Sequence, residues 1–414
     1  MTRDIFDQER LPPSLDAFLR DTNPWWEGKP GPVIPEYRRV VFDSALRKLH
    51  GGLAPIIVVR GPRQVGKTTL QQQIIAHLQA KEGVSPNHIL RVQFDEIPSL
   101  KTLAEPVLSI ARWFENRVLA RPFNECAKAG QPVYVFLDEV QNLADWAPQL
   151  KALVDHHTVK VLVTGSSALR IEAGRDSLAG RIASIDMGTL LLREIAELRF
   201  GARVSSCMDG NGLEPLLDRK FWAQVQARGR EVRDVRDAAF SAFSERGGYP
   251  MAQARPEVPW PGVADQLNET VVQRAIQHDL RMGTRGRYRD PHLLEEVFRL
   301  ACRYAGQSPS KAVFAAQIQQ ALNANVGWQR ITSYLSFLER ALLIKLARPL
   351  ELRLKRTKGH SKLCLCDHSL RASWLQEVVP ISMQGLERSP HLCDIAGHLA
   401  ESTAGVFPGG ASPP

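Results

Sequence analysis

The chain has 414 residues, of which 44% are hydrophobic and 23% are charged. This length predicts two or three domains rather than one core, and the composition is typical of a soluble globular protein. No apolar run approaches the roughly 18 residues of a membrane span, and the N-terminus is too polar for a secretory signal. We therefore expect a cytoplasmic protein without a membrane partner.

Positive charge is unevenly distributed along the chain. The net charge is +9, and residues 291–371 contain thirteen Lys and Arg against five Asp and Glu. This local excess favours a polyanionic partner such as DNA, although a solvated basic face would have the same composition.

The six cysteines are too sparsely spaced to indicate a disulfide framework. Cys364, Cys366 and His368 have a spacing that a metal site could use. The same spacing fits inward positions of an alternating strand, so packing is the favoured interpretation.

In chain order, the first predicted segment is an arm over residues 1–38, whose prolines, tryptophans and acidic residues indicate no regular structure. A domain over 39–200 follows, in which apolar strands alternate with helices. This alternation predicts an α/β fold with a parallel sheet that is covered on both faces. The predicted strands lie at 56–60, 88–96, 133–140, 159–167 and 181–188.

Helical periodicity replaces strands after about residue 190. We predict a helical extension over 201–288 and a further domain over 289–376. In that domain, helices at 310–322 and 328–344 are separated by a short turn and precede a β-hairpin. This order is typical of a winged helix-turn-helix domain.

The first predicted strand leads into a loop that matches the phosphate-binding pattern G-x-x-x-x-G-K-[ST] in full. The glycines let backbone amides curl around phosphates, and the N-terminus of the following helix adds partial positive charge. We expect Lys67 to reach the β- and γ-phosphates of ATP and Thr68 to ligate Mg²⁺. The residues predicted to bind the nucleotide are Gly61, Pro62, Arg63, Gln64, Val65, Gly66, Lys67, Thr68 and Thr69.

Two carboxylates, Asp138 and Glu139, end the third predicted strand. Ligands of parallel sheets bind at the carboxyl ends of the strands, so both side chains are expected beside the phosphates. Asp138 is the predicted Mg²⁺ partner, through water, and Glu139 is the candidate base for the attacking water.

Two further residues are candidates for catalysis. Ser166, with Ser167 as the nearly as plausible alternative, follows the fourth strand and could touch the γ-phosphate or the water; both serines could also simply open a loop. Arg181 starts the fifth strand and could neutralise charge in its own site or in that of a neighbouring copy.

The helix at 328–344 would offer base contacts in a DNA complex, and the wing of the hairpin would offer phosphate contacts. Winged helices also dock proteins, so both alternatives stay open. The candidate contact residues are Gln329, Arg330, Thr332 and Ser333 on the helix, with Lys355, Arg356, Lys358 and His360 on the wing.

The chain contains the motifs "NPWW", "VVRGPRQVGKTTL" and "VLVTGSSALRI" in this order. In these and further motifs it resembles P-loop ATPases of the AAA_14 type with a DUF4143 C-terminal region. The resemblance implies an ASCE-class, AAA+-like P-loop NTPase core, a helical extension, a winged helix and a nuclease-like domain. It strengthens the prediction for Arg181 and includes Gln141, to which we assign no role. The matching words include "NPWW", "VVRGPRQVGKTTL", "VYVFLDEVQNLADWAPQLKALVD", "VLVTGSSALRI", "SLAGRI", "GGYP" and "AGHLAES".

The segment 377–414 departs from that family. It contains only the words that open the nuclease-like domain, so the carboxylates for two-metal cleavage are absent from it. We expect a truncated domain without nuclease activity, whose first helix lacks packing partners.

The main hypothesis is an ATP-binding, ATP-hydrolysing protein that drives a basic DNA- or protein-binding module. The alternative is a nucleotide-gated interaction protein with negligible hydrolysis. The protein partner cannot be predicted from the sequence.

Overall fold

The computed structural model describes residues 11–94, 100, 103–143, 145–165, 176–208, 214–279, 290–349 and 359–410. Contacts divide the chain into two compact units. The first comprises residues 1–61 with 66–185, and the second comprises 62–65 with 186–414. No helix within the described ranges has the combined length and apolar character that crossing a bilayer requires.

The first unit is built on a five-stranded sheet with the strand order β2-β3-β4-β1-β5. The pairs β2–β3, β3–β4 and β1–β4 are parallel. The predicted α/β fold with a parallel sheet is therefore confirmed. The strands are β1 Ile56–Arg60, β2 Ile89–Gln93, β3 Val133–Asp138, β4 Val159–Gly165 and β5 Ile182–Asp186.

Helices cover both faces of this sheet. Val133, Val135 and Leu137 of β3 belong to a large apolar core, and the alternate residues of β3 are also buried, on the opposite face. A strand that is buried on both faces is expected where crossover helices flank a parallel sheet. The helices of this unit are α1 Pro13–Thr22, α2 Val41–Gly51, α3 Lys67–Glu82, α4 Pro106–Phe114, α5 Phe123–Lys128 and α6 Trp146–His156.

The prediction that the N-terminal arm lacks regular structure is wrong. Residues Pro13–Thr22 form α1, and Pro24–Glu27 form a 3-10 turn. Both segments begin with proline, which is favourable in the first turn of a helix because no amide partner is needed there. Leu15 and Leu19 of α1 are fully buried in the core of the first unit.

The arm satisfies the backbone of the outer strand β2. The Asn23 side chain donates to the Arg91 carbonyl at 2.8 Å and accepts from the Arg91 amide at 2.7 Å. The indole groups of Trp25 and Trp26 both donate to the Ile89 carbonyl, at 3.2 and 2.9 Å. These side chains protect an edge that could otherwise pair with another chain.

We expect Asn23→Ala to destabilise the first unit by about 1–3 kcal/mol, because it leaves buried backbone groups of Arg91 without their partner. Thermal and urea unfolding would measure the change. Lys29→Ala is the matched control, since it removes an exposed arm side chain whose ion pair with Glu27 lies at the surface. Equal stability of both variants would contradict the role of Asn23.

In its described residues, the second unit contains helices and a two-stranded antiparallel sheet, β6 Ile344–Ala347 with β7 Lys362–Leu365. The helix Trp260–Leu267 continues as a π-helical segment, Asn268–Asp279. The helices are α7 Leu192–Phe200, α8 Arg219–Glu231, α9 Arg233–Arg246, α10 Pro250–Gln253, α11 Trp260–Leu267, α12 Pro291–Arg303, α13 Lys311–Leu322, α14 Trp328–Arg340, α15 His368–Leu375, α16 Met383–Arg388 and α17 Cys393–Gly410.

The helix α17 packs against the hairpin, so the expectation that its residues lack packing partners is wrong. Ala396, Leu399 and Ser402 are each 2% exposed. The Ser402 hydroxyl accepts a hydrogen bond from the Leu365 amide at 2.8 Å. A Cβ atom at Gly405 would lie 2.5 Å from the Cys364 sulfur, which shows how closely helix and strand approach.

This contact agrees with the packing interpretation of the cysteine pair. Cys364 is fully buried on β7. Burial raises the pKa of Cys366 to about 12, so its thiol stays protonated near neutral pH. Metal sites bind the thiolate, which makes this environment unfavourable for a ligand.

A buried carboxylate, Asp367, joins two segments of the second unit that are more than 100 residues apart. It accepts from the Gly248 amide at 2.7 Å and from the Ser369 amide at 3.0 Å. Gly247 has a φ of +71° and a ψ of −165°, and a Cβ atom there would lie 2.0 Å from Asp367 Oδ1. The word "GGYP" therefore contains the glycine that this contact requires.

We expect Gly247→Ala to destabilise the second unit by at least about 3 kcal/mol, since strained backbone and a side-chain clash add together. Gly229→Ala, inside α8, is the control. A Cβ atom at this position would meet only the end of the flexible Arg236 side chain, at 3.8 Å. The control is expected to be neutral or slightly stabilising. Comparable unfolding curves for both variants would refute the steric explanation.

Candidate functional site

The predicted phosphate loop connects β1 to α3, at the carboxyl edge of the sheet. Gly66 caps α3 with a φ of +94°, and Gln64 also has a positive φ of 63°. The 16-residue helix α3 begins at this loop, and its first amides lack partners within the helix. The arrangement provides a concentration of N–H groups that suits an anion.

Lys67 and Thr68 begin α3 at this edge, and Asp138 ends β3 there. The Lys67 ammonium donates to the Gly61 carbonyl at 3.0 Å, and the side chain is buried. The Thr68 hydroxyl donates to Asp138 Oδ2 at 2.7 Å. Two oxygen groups that are 70 residues apart in sequence therefore lie in contact beside a lysine.

Asp138 is fully buried and is held by a further polar group that the sequence did not single out. The Thr164 hydroxyl, near the end of β4, donates to Asp138 Oδ1. Gln71 of α3 donates to this hydroxyl at 3.1 Å and to the Leu137 carbonyl at 3.1 Å. The carboxylate is thus oriented from α3 and from the neighbouring strand.

Glu139 differs from Asp138 in its environment. It is partly exposed, and its φ of +51° turns the chain sharply after β3. The Gln141 amide donates to Glu139 Oε2 and is itself 3% exposed. Gln141, for which no role was predicted, therefore orients the carboxylate that is the candidate base.

A cationic residue of the site was missed in the sequence. Arg91 lies in β2 and is 6% exposed, and its Nη2 is 3.5 Å from Asp138 Oδ2. The same nitrogen donates to Gln93 Oε1 at 2.9 Å. Gln93 is paired in register with Asp138, so Arg91 reaches the carboxylate diagonally across two strands.

Of the two further catalytic candidates, Arg181 does not join this cluster. Ser166 and Ser167 lie outside the described residues. Arg181 precedes β5, and its carbonyl accepts from the amide of Ile56, the first residue of β1. Because the phosphate loop follows the carboxyl end of β1, Arg181 lies at the amino edge of the sheet, opposite the loop.

The Arg181 guanidinium donates to Asp155 at 2.5 and 3.0 Å. This contact lowers the pKa of Asp155 and raises that of Arg181. A role for Arg181 in its own phosphate site does not fit this position. A role in the site of a neighbouring copy stays a prediction.

The candidate DNA contacts of the second unit are partly described. Gln329, Arg330, Thr332 and Ser333 are exposed on α14, as a contacting face requires. Arg330 lies 3.6 Å from Asp290, in a surface ion pair. His360 is also exposed, whereas Lys355, Arg356 and Lys358 lie outside the described residues.

Two family models match the chain. Residues 54–196 match the AAA_14 model, an AAA domain, and residues 238–378 match DUF8612, a domain of unknown function. The second match extends over both the predicted helical extension and the predicted winged helix. The predicted DUF4143 region is not confirmed.

The similar curated proteins are themselves described as uncharacterized. One from Haemophilus influenzae is 24% identical over 324 residues, which cover 76% of this chain and 68% of that protein. One from Methanocaldococcus jannaschii is 27% identical over 252 residues, or 59% and 49% of the two chains. One from Mycobacterium tuberculosis is 26% identical over 212 residues, and the match spans 39% of its length.

Two solved structures align over most of the chain at low similarity. A Walker-type ATPase of Pyrococcus abyssi has 14% identity and a TM-score of 0.43, with 82% of this chain and 96% of that chain covered. The Aeropyrum pernix ORC1 protein in complex with DNA has 13% identity and a TM-score of 0.33, with 87% and 95% covered. Residues 54–196 are therefore similar to an AAA domain and carry a phosphate-binding loop pattern at the carboxyl edge of a parallel sheet.

Proposed function

We propose that the first unit binds Mg-ATP and hydrolyses it. The observation that carries this proposal is the 2.7 Å contact between Thr68 and Asp138 beside the buried Lys67, at the N-terminus of α3. Hydroxyl, carboxylate and ammonium groups in this order are the parts that phosphoryl transfer uses.

The chain's own groups would bind the triphosphate in two ways. The backbone amides from Gly66 to Thr69 and the helix dipole would attract the phosphates. Lys67 donates to the Gly61 carbonyl in this structure, so its ammonium lies over the loop. The same ammonium is positioned to exchange that carbonyl for a phosphate oxygen.

The donor set fits magnesium. Mg²⁺ prefers oxygen ligands, and Thr68 and Asp138 supply a hydroxyl and a carboxylate that already touch each other. When bound, the metal would neutralise charge on the β- and γ-phosphates. Thr164 would keep the carboxylate oriented towards Thr68.

Glu139 is proposed to accept the proton of the attacking water. Its partial exposure leaves the carboxylate accessible, whereas Asp138 is buried. The Gln141 amide would hold the carboxylate in place by donating to Glu139 Oε2. A positioned base contributes about 10²–10⁴-fold to such a step.

We expect Glu139→Gln to lower the ATPase turnover by about 10²-fold or more while ATP still binds, because only the proton acceptor is lost. Lys67→Ala should weaken ATP binding itself. Turnover would be measured by phosphate release, and affinity by calorimetry with Mg-ATP. Glu125→Gln, on the exposed side of α5, is the control and should match the wild type.

Wild-type turnover in both the Lys67 and the Glu139 variants would refute this mechanism. The alternative of a nucleotide-gated interaction protein predicts a different result. In a single-turnover experiment, such a protein would retain ATP unhydrolysed.

For the second unit, we propose a winged-helix module that contacts DNA. This proposal is supported by the element order, in which three helices, α12, α13 and α14, precede the antiparallel pair β6–β7. The Leu363 amide of β7 also donates to the Gln307 carbonyl, on the side of β7 away from β6. Asn323, at a φ of +47°, ends α13 before the short turn to α14. Exposed Arg330 and Arg340 on α14 would approach the phosphates.

We expect the double variant Arg330→Ala with Arg340→Ala to weaken DNA binding and to reduce the salt dependence of log K by about one unit per lost phosphate contact. Gel shifts across a salt series would measure both quantities. Arg236→Ala is the control, because this half-exposed arginine lies on α9. A variant with unchanged affinity and salt slope would rule out the α14 face.

A further inference from the structure

We propose that Arg91 is a positioning residue that holds Asp138 when Mg²⁺ is absent and releases it when the metal binds, with Gln93 as its second acceptor. This inference rests on the proposed Mg-ATP site. It assigns a role to a residue outside the phosphate loop and outside the acidic pair Asp138–Glu139.

The first step of the argument concerns charge. Asp138 is fully buried, and a buried carboxylate is stable as an anion only when charge and hydrogen bonds compensate it. Thr68 and Thr164 donate hydrogen bonds but carry no charge. Arg91, with a side chain that is 7% exposed, brings a permanent positive charge to 3.5 Å from Oδ2.

The second step concerns competition. The oxygen near Arg91 is Oδ2, which is also the oxygen that accepts from Thr68. A divalent cation between Thr68 and Asp138 would therefore be repelled by the guanidinium. Removal of that guanidinium should strengthen the preference of the site for Mg²⁺.

The third step concerns where Arg91 can move. Its Nη2 is closer to Gln93 Oε1, at 2.9 Å, than to Asp138 Oδ2. A small rotation of the side chain would therefore keep a hydrogen bond while the carboxylate is released. The backbone of Arg91 is fixed throughout, because Asn23 binds both its amide and its carbonyl.

The test is the ratio of ATP affinity with Mg²⁺ to ATP affinity in EDTA, measured with a fluorescent ATP analogue and checked by calorimetry. Arg91→Gln should raise this ratio by at least about fivefold, the lower end of typical coupling between two ligands. Without the guanidinium, Asp138 repels metal-free ATP more strongly and competes better for the metal. Arg91→Lys keeps a charge and should stay near the wild-type ratio.

Gln93→Leu should change the affinity ratio in the opposite direction. It therefore tests the proposal even if the Arg91→Gln variant fails to fold. It removes the second acceptor, so Arg91 stays on Asp138 and the ratio should fall. Arg121→Gln, at a surface ion pair with Glu125, is the neutral control. An unchanged ratio in both the Arg91→Gln and Gln93→Leu variants would overturn the proposal, as would equal changes of the same sign.

Failure of the proposed function would look different. Wild-type protein would then bind no ATP in either buffer. In that case the role of Arg91 is decided by the melting temperatures measured with MgCl₂ and without it, in the absence of ATP. A larger stabilisation by Mg²⁺ in Arg91→Gln than in the wild type supports it, and an equal stabilisation refutes it.

Discussion

The geometry of the first unit depends on one buried carboxylate, Asp138, at the carboxyl end of β3. Its oxygens are contacted from α3 by Thr68, from β4 by Thr164 and from β2 by Arg91. A buried carboxylate without such partners would be costly, so the three elements must be packed correctly around it. The same requirement gives a well-defined position to the oxygens that the proposed metal site uses. Folding of the sheet and construction of the site are therefore one process.

The local parts of the site could be predicted from the sequence, whereas the non-local ones could not. The loop from Gly61 to Thr69 and the acidic pair after β3 are contiguous patterns, and strand ends in a parallel sheet meet at one edge. Arg91 is in the middle of an ordinary apolar strand. Its contact with Asp138 depends on the register between β2 and β3, which no local pattern specifies. Arg181 shows the converse, since its position at the start of β5 already indicated the amino edge of the sheet, away from the phosphate loop.

The second unit shows the same limit on a larger scale. The helices on either side of the turn at 323–327 and the strand at 362–365 follow from periodicity and turn residues. The contact between Asp367 and the Gly247–Gly248 turn joins the predicted helical extension to the predicted winged helix. A buried carboxylate that caps two backbone amides couples the stability of both segments. This coupling is consistent with one family model, rather than two, matching residues 238–378.

The arm explains why composition misled the prediction for residues 1–38. Proline is frequent in irregular segments, yet here Pro13 and Pro24 begin helical turns and the tryptophans donate indole hydrogen bonds to β2. An outer parallel strand has backbone groups that require partners, and side chains can supply them without adding another strand. Because Asn23 binds the backbone of Arg91, the residues that protect the edge also position the cation beside Asp138. The arm is in this sense a structural part of the proposed nucleotide site, although none of its residues lies in the phosphate loop.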